Sequence, residues 1–321
     1  TDGDQINTAL DIIAEGGFNY VQFDRAGYGM LNFQCDFGPT QFEAVRHAVA
    51  LLLDRNEFAN TFCQGWGGVV NGMYGTGLWQ YQEAEEWLET TLNPYSYDPE
   101  AAVEELKADG WVYNADGSDY VDGSGEIRYK KVTEAEAGTF AHNVTLADGT
   151  ILMPLIIEWS SSENNPVSEL LATMLPEAMS EAGMELKATT MDFPTLLAGI
   201  DHTGDKIYNM YNLATGFALA SSPWYYYSTD PVWMQGGYNS NWISDTELEA
   251  AAYALKPIAC DDNESWLPAW QNFIKVWNEK MPDVPLYSDE YYDFYSPKLK
   301  GWESTAVWEW SRAVLDAWVV E

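Results

Sequence analysis

Apolar side chains at Ile6, Ala9, Leu10 and Ile13 fall on one helical face and the run stops at Gly16-Gly17, which predicts a first short helix. Tyr28 to Cys35 reads as a strand. Thr40 to Glu43 has the spacing of a capping box, and Phe42, Val45, Val49 and Leu52 then trace one apolar stripe that ends at Asp54-Arg55. Asp98, followed by Pro99, opens a further helix that Gly110 closes before Trp111. In mid-chain, Met153 to Trp159 is predicted as a strand, and Asn165-Pro166 as the start of a helix carrying Leu170, Leu171, Met174 and Leu175. Pro176 is expected to kink that helix and Gly183 to end it. Met184 to Thr190 alternates as a second strand, so strand, helix and strand imply a right-handed parallel crossover. A third strand is expected from Ile207 to Leu213. A second capping box, Ser244 to Glu247, precedes Leu248, Ala252 and Leu255, and Leu267, Trp270, Phe273, Ile274 and Trp277 mark another amphipathic helix. Val284 to Tyr287 and Tyr291 to Tyr295 then run extended toward a tryptophan-rich end. The pattern predicts an α/β fold.

The glycine-rich stretch from Gly65 to Gly75 lacks both the G-x-G-x-x-G spacing and the Gly-Lys-Ser/Thr ending of a phosphate loop. It is expected to be a flexible loop presenting Trp66 and Tyr74. Asn114 to Gly117 and Asp122-Gly123 look like hairpin turns; as calcium loops they fail, because the required glycine and distal glutamate are out of register. Cys35, Cys63 and Cys260 are widely spaced without a C-x-x-C, and His47, His142 and His202 are equally scattered. No disulfide framework, zinc site or histidine-based triad is legible, so no catalytic residue, metal or cofactor is assigned.

Charge narrows the classes further. Fifteen basic residues against 50 acidic ones give a formal charge of −35. Such a field repels phosphate backbones and anionic lipid, which argues against nucleic acid and membrane surfaces as partners. With 15 tryptophans, 20 tyrosines and 12 phenylalanines the chain has ample core material, so the acidity coats a folded protein. No apolar run approaches the ~18 residues needed to span a bilayer, and no basic-then-apolar leader opens the sequence.

Val45-Arg46-His47-Ala48-Val49-Ala50 followed by Asp54-Arg55 resembles the VRQAxxxAxDR helix of extracellular solute-binding proteins of peptide/nickel (oligopeptide/dipeptide) ABC transporters. Tyr97-Asp98-Pro99-Glu100-Ala101-Ala102 with Gly110-Trp111 is similar to that family's YDPEKA…GW run. Leu175-Pro176 to Gly183-Met184, Tyr238-Asn239-Ser240-Asn241 and Pro282-Asp283-Val284-Pro285-Leu286-Tyr287 follow in the family's order, over roughly residues 28–300.

The resemblance implies a periplasmic-binding-protein-like lobe of type II, the peptide-binding class, with a mixed sheet flanked by helices and the N-terminal lobe missing. Residues 1–27 are then the end of the first lobe leading to the hinge. Residues 28–296 are a second, ligand-binding lobe with hinge strands at both ends, and residues 297–321 a tail returning to the first lobe. The implied function is non-enzymatic: the extracytoplasmic substrate-binding component of an ABC importer, capturing a peptide-like or other small polar solute in an aromatic-lined interlobe cleft. It would work with a membrane-spanning permease, in an extracellular or periplasmic location, lipid-anchored in the full-length protein. The Trp302, Trp308, Trp310 and Trp318 tail and the Ile6–Ile13 helix are expected to leave apolar faces exposed, or covered by self-association.

Candidate ligand-binding residues are Trp66, Tyr74, Asn212, Thr215, Trp224, Tyr225, Tyr238 and Asn239. Four consecutive large rings, Trp224 to Tyr227, cannot all face inward on one element, so some must be exposed or line a cleft. Peptide-binding relatives usually carry an aspartate after the strand entering the cleft, where it neutralises the peptide's α-ammonium group. Asn212 to Ala220 has no carboxylate. Either the ligand lacks a free amino terminus there, and free and acetylated peptides bind about equally, or an acid from elsewhere, such as Asp192 or Asp205, serves. The competing classes are a secreted glycoside hydrolase, with Asp230 and Glu247 or Glu158 and Glu163 as paired carboxylates, a carbohydrate-binding module, and a purely structural module.

Overall fold

The computed structural model describes residues 2–218, 222–234, 237–259 and 261–321; Cys260 and the Leu219-Ala220 end of the carboxylate-free segment lie outside the described residues. Helix α1 (Gly3–Ala14) is capped by Asp2, whose side chain accepts from the Gln5 amide. Strands β1 (Asn19–Asp24) and β2 (Gly27–Phe33) follow almost end to end. The expected capping box at Thr40 does not form. Thr40 sits in a 3₁₀ turn, and its buried hydroxyl is within hydrogen-bond distance of the carbonyls of Gln34, Phe37 and Asn209. Helix α2 (Glu43–Leu51) therefore starts without a side-chain cap, and Asp54 caps a separate helix, α3 (Arg55–Cys63). The glycine-rich stretch contributes a two-residue strand, β3 (Gly67–Gly68), before α4 (Trp79–Thr91) and α5 (Pro99–Ala108).

A small antiparallel sheet comes next, of β4 (Tyr129–Val132), β5 (Val144–Thr145) and β6 (Ile151–Pro154), with α6 (Glu134–Ala137) between its first two strands. The single strand expected from Met153 to Trp159 is broken at Leu155, and β7 (Ile156–Ser162) belongs to the main sheet. The break is held by two backbone bonds, Leu155 donating to Arg128 and accepting from Glu185. Helix α7 (Pro166–Glu181), capped by Asn165, runs on through Pro176 and leads to β8 (Glu185–Met191), which pairs parallel to β7.

After α8 (Phe193–Ile200), β9 (Met210–Gly216) lies three residues later than the apolar pattern predicts. Its register is set by pairing with β2, from Phe33↔Met210 to Gly27↔Gly216, while Asn209 is held by Glu158, Gln34 and Thr40. Helix α9 (Thr246–Tyr253) is capped by Asp245, not Ser244, because the Asp245 carboxylate accepts from the amides of Glu247 and Leu248. Helix α10 (Asn263–Lys280) precedes β10 (Asp283–Tyr295), one continuous strand where two were expected. The chain ends in β11 (Leu299–Lys300), α11 (Trp310–Ala313) and β12 (Trp318–Val319).

The main sheet is seven-stranded and mixed, in the order β1-β10-β2-β9-β7-β8, with β3 added to β10. One buried cluster packs α2, α3, α5 and α7 against it around Trp111 and Trp159; a second packs α9 and α10 around Trp270, Phe273 and Trp277. Strand β10 pairs antiparallel with β2 through its first half and with β1 through its second, from Asp283↔Asn32 to Tyr295↔Asn19. Two buried arginines fasten this axis by donating to carbonyls. Arg46 reaches Lys280 and Met281 at the end of α10, and Arg55 reaches Pro285 of β10 at 2.9 Å. Several guanidinium bonds to backbone carbonyls offset the expense of burying each charge.

Candidate functional site

Strand β9 is buried through Asn212, and the side chains from Leu213 onward alternate between half-buried and exposed. Its far end therefore carries surface that the lobe itself does not cover. Two cavities open there and share Ala214 as a common wall. The first, about 470 Å³, lies between the β9 end, Tyr287 of β10, the Asn164-Asn165 turn before α7, and Phe193 of α8. The second, about 660 Å³, is bounded by Thr215 to Ala218, by Phe23 and Arg25 at the β1–β2 junction, by Tyr291 and Asp293 of β10, and by Glu309 and Trp310 of the tail.

Backbone closeness shapes this region. Gly27 pairs with Gly216, and an added Cβ at Gly27 would lie 2.0 Å from the Thr215 oxygen. Gly75 lies against the same strand, where its own Cβ would be 2.0 Å from the Gly27 nitrogen. The glycine-rich stretch is thus docked on the β1–β2 junction, contrary to the free loop expected from its composition. Between the strands, Arg25 donates to Asp289 and to the Thr215 carbonyl, both at 3.0 Å, with its guanidinium 5.5 Å from the centre of the Tyr291 ring.

The profile of the bacterial extracellular solute-binding proteins, family 5 (Middle), matches residues 4–244. The chain belongs to this family. Its fold is the type II periplasmic-binding-protein-like fold, a mixed sheet flanked by helices. It is similar to the oligopeptide-binding protein AppA from Bacillus subtilis in complex with a nonapeptide, at 15% identity and a TM-score of 0.76, covering 100% of this chain and 55% of that one. It is also similar to the oligopeptide-binding protein from Thermus thermophilus complexed with a pentapeptide (16% identity, TM-score 0.71, 95% and 48% covered). NikZ from Campylobacter jejuni in complex with Ni(L-His) superposes at 18% identity and a TM-score of 0.66, covering 93% and 52%. The chain spans about half the length of these structures. Among curated proteins, none matches it significantly.

In the structure of this family 5 chain the sequence-predicted site residues separate into four groups. Asn212 and Thr215 line the first and second cavities respectively. The Asn212 amide is nevertheless engaged internally: its oxygen accepts from Trp159 Nε1 and its nitrogen donates to Ser168, at 3.1 and 3.0 Å. Tyr74 and Asn239 are buried. Tyr74 stacks on Tyr81 and meets Trp270 edge-on, and the Asn239 amide bonds across its own loop to Ile243 and Ser228. Trp66 donates to Asn7 of α1 and meets Tyr292 edge-on, in the seam between α1 and β10. Trp224, Tyr225 and Tyr238 gather around Trp233, and Lys256 lies 3.7 Å over the Trp224 ring. None of these last six residues lines either cavity.

The carboxylates weighed from sequence are mostly committed elsewhere. Asp230 accepts from the Val232 amide, Glu247 lies 3.5 Å from Lys280, and Glu158 is 2.7 Å from His142 Nε2. Asp192 caps α8 through Thr195, and Asp205 is exposed outside both cavities. Only Glu163 reaches the first cavity. Sequence reasoning missed Arg25, Tyr291, Asp293, Glu309 and Trp310, which converge from segments nearly 290 residues apart. The only local signal was the length of the extended run that became β10. Among the described residues, no group of three or more His, Cys, Asp or Glu side chains is placed to hold a metal ion, and no helix is long and apolar enough to cross a membrane.

Proposed function

We propose that this chain is the ligand-binding lobe of an extracytoplasmic substrate-binding component of an ABC importer. It takes a peptide-like or other small polar solute against the exposed end of β9. The observation that carries this reading is the pair of cavities meeting at Ala214, beside the paired strands β1, β2 and β10. The antiparallel course of β1–β2 and β10 supports residues 28–296 as the lobe with hinge strands at both ends. Residues 1–27 and 297–321 then reach toward a partner lobe. The full protein would deliver its solute to a membrane-spanning permease from outside the cytoplasmic membrane, tethered there by a lipid anchor. The reading involves no catalytic step. Exposed Trp310, Leu315, Trp318 and Val319 support self-association of this chain in isolation.

Calorimetry with blocked and free tri- to nonapeptides, followed by mass spectrometry of the recovered ligand, tests the reading. Saturable binding with the ligand returned intact is expected. Ala214→Trp, which fills the wall common to both cavities, should abolish it while leaving the melting temperature unchanged. Cleavage of a peptide or glycoside, or binding untouched by that substitution, would overturn the proposal.

A further inference from the structure

Helix α4 is built with weaker ends than the other long helices. Leu78 precedes it and supplies no side-chain cap, and its last turn carries no base. Helix α5 has the Asp98 cap and Lys107, and α10 has the Asp262 cap and Lys280. Helix α4 therefore gains neither a capping bond at its start nor a favourable charge at the negative end of its dipole, where it carries Glu89 instead.

Its surface adds repulsion. Glu83, Glu85, Glu86 and Glu89 are all exposed, and the helix contains no Lys or Arg. Glu83 and Glu86, Glu86 and Glu89, and Glu85 and Glu89 stand three or four residues apart, so like charges are neighbours on the helix. The field reaches the packed face: burial, the bond to Glu85 and the charges of Glu85 and Glu89 raise the pKa of the Tyr81 hydroxyl. Against this, α4 buries only Gln80, Ala84 and Leu88, with Tyr81 and Trp87 half-buried on the second cluster. Gln80 weakens that face, because its Oε1 is buried with no hydrogen-bond partner among the described residues. The rest of the surface gives no relief. Among the described residues four bases are buried, Arg25, Arg46, Arg55 and Arg128, but only two acids, Asp283 and Asp289, so the surface is more one-sided than the total of −35.

We infer that α4 is an ionic-strength-gated element, docked where salt is abundant and released where salt is dilute. The Debye length falls from about 10 Å at 0.1 M salt to about 3 Å at 1 M, which is shorter than the roughly 5–6 Å between neighbours on a helix face. Screening thus removes the repulsion that a small buried face must otherwise offset. The change reaches the candidate site. Leu78 and Gln80 wall a small cavity of about 30 Å³ together with Met73, Phe217 and Trp270, and Phe217 also lines the second cavity. Release of α4 opens that wall beside Phe217, so salt alters the shape of the surface at the β9 end.

Hydrogen exchange of this chain, read by mass spectrometry in KCl at about 0.1 M and about 1 M, tests the inference. Protection of α4 should rise about tenfold or more with salt, while that of α5 and α10 changes much less. Sodium sulfate at equal ionic strength should act as KCl does, because screening does not depend on the anion; a much larger effect of sulfate would mark salting-out and overturn the gate. The variant Glu83→Gln/Glu85→Gln/Glu86→Gln/Glu89→Gln, which keeps an acceptor for Tyr81, should be protected at low salt as the natural chain is at high salt. Glu89→Lys alone, which sets a base four residues after Glu85 and at the end of the dipole, should move α4 the same way. Exchange in α4 that ignores salt, or a salt response unchanged in both variants, overturns the inference. Equal salt response in α4, α5 and α10 also overturns it, since repulsion would then act on the whole fold. None of these outcomes touches the proposed function.

Discussion

Arg25 and Asp289 form a buried ion pair, Nη1 to Oδ1 at 3.0 Å, that joins the β1–β2 junction to the middle of β10. The Arg25 amide also donates to the Asp289 carbonyl, so side chain and backbone hold the same contact. Through Nη2 the arginine reaches Thr215 as well, and one residue thereby links the β1–β2 junction, β10 and β9 in the wall of the second cavity.

Removing one partner leaves the other charged and buried. Arg25→Ala and Asp289→Ala are each expected to destabilise the lobe by about 3–5 kcal/mol. The double variant Arg25→Leu/Asp289→Leu should recover much of that loss. Urea unfolding of all three checks it, and additive losses in the double variant would show that the two residues act independently.

Asp283 opens β10 from a buried position, where Oδ2 accepts from Tyr28 at 3.3 Å and Oδ1 has no hydrogen-bond partner among the described residues. Burial raises its pKa well above the usual carboxylate range, with the Tyr28 bond opposing. The folded state thus keeps a proton that the unfolded chain releases above about pH 4. Stability from this group is present at low pH and is lost as pH rises toward the folded-state pKa. Asp283→Asn should therefore gain on the natural chain between pH 4 and pH 8 in thermal melts; a difference independent of pH would refute the assignment.

His202 stacks on Trp242 with ring centres 4.0 Å apart, its Nε2 bonded to Gln34 and its Nδ1 buried with no hydrogen-bond partner among the described residues. Burial, aided by Lys206 and opposed by Asp36, pushes its pKa down to about 4. Between pH 6.5 and 4 the unfolded chain takes up a proton that the folded chain refuses, so stability falls as pH drops through that window. His202→Phe keeps the stacking and removes the titration. The natural chain should lose stability relative to this variant from pH 7 down to pH 4, read by denaturant midpoints at each pH.

Gly75→Ala places a Cβ 2.0 Å from the Gly27 nitrogen and 2.4 Å from the Arg25 oxygen, backbone atoms that cannot yield cheaply. A loss of about 1–3 kcal/mol is expected, as for overpacking elsewhere. Gly68→Ala, whose Cβ meets nothing within 4 Å, is the control. Equal stability of the two variants would mean that the glycine-rich stretch is not docked as described.

Helix α5 was legible from the cap and turn residues at its ends, Asp98-Pro99 and Gly110, and α10 from its apolar stripe. Helix α4 was not, because its buried face consists of little more than Gln80, Ala84 and Leu88 among glutamates. Strand β1 was missed because only alternate residues are half-buried, at the edge of the sheet. The caps at residues 40 and 244 were misread for a different reason. A hydroxyl or carboxylate near a helix start satisfies the spacing of a cap whether it bonds forward to amides or, as Thr40 does, to carbonyls from other segments.

By itself the sequence determined the α/β class, the β7–α7–β8 crossover, the extended runs that became β2 and β10 and, through the order of its motifs, the family. These rest on periodicity and turn chemistry, which act between near neighbours. Only the tertiary structure decided which side chains line a cavity. It sealed Tyr74 and Asn239 in packed or hydrogen-bonded interiors and brought Arg25, Asp293 and Glu309 to one cavity. The reason is that burial and ion pairing depend on distance in space: Arg25 and Asp289 are 264 residues apart in sequence and 3.0 Å apart in the fold.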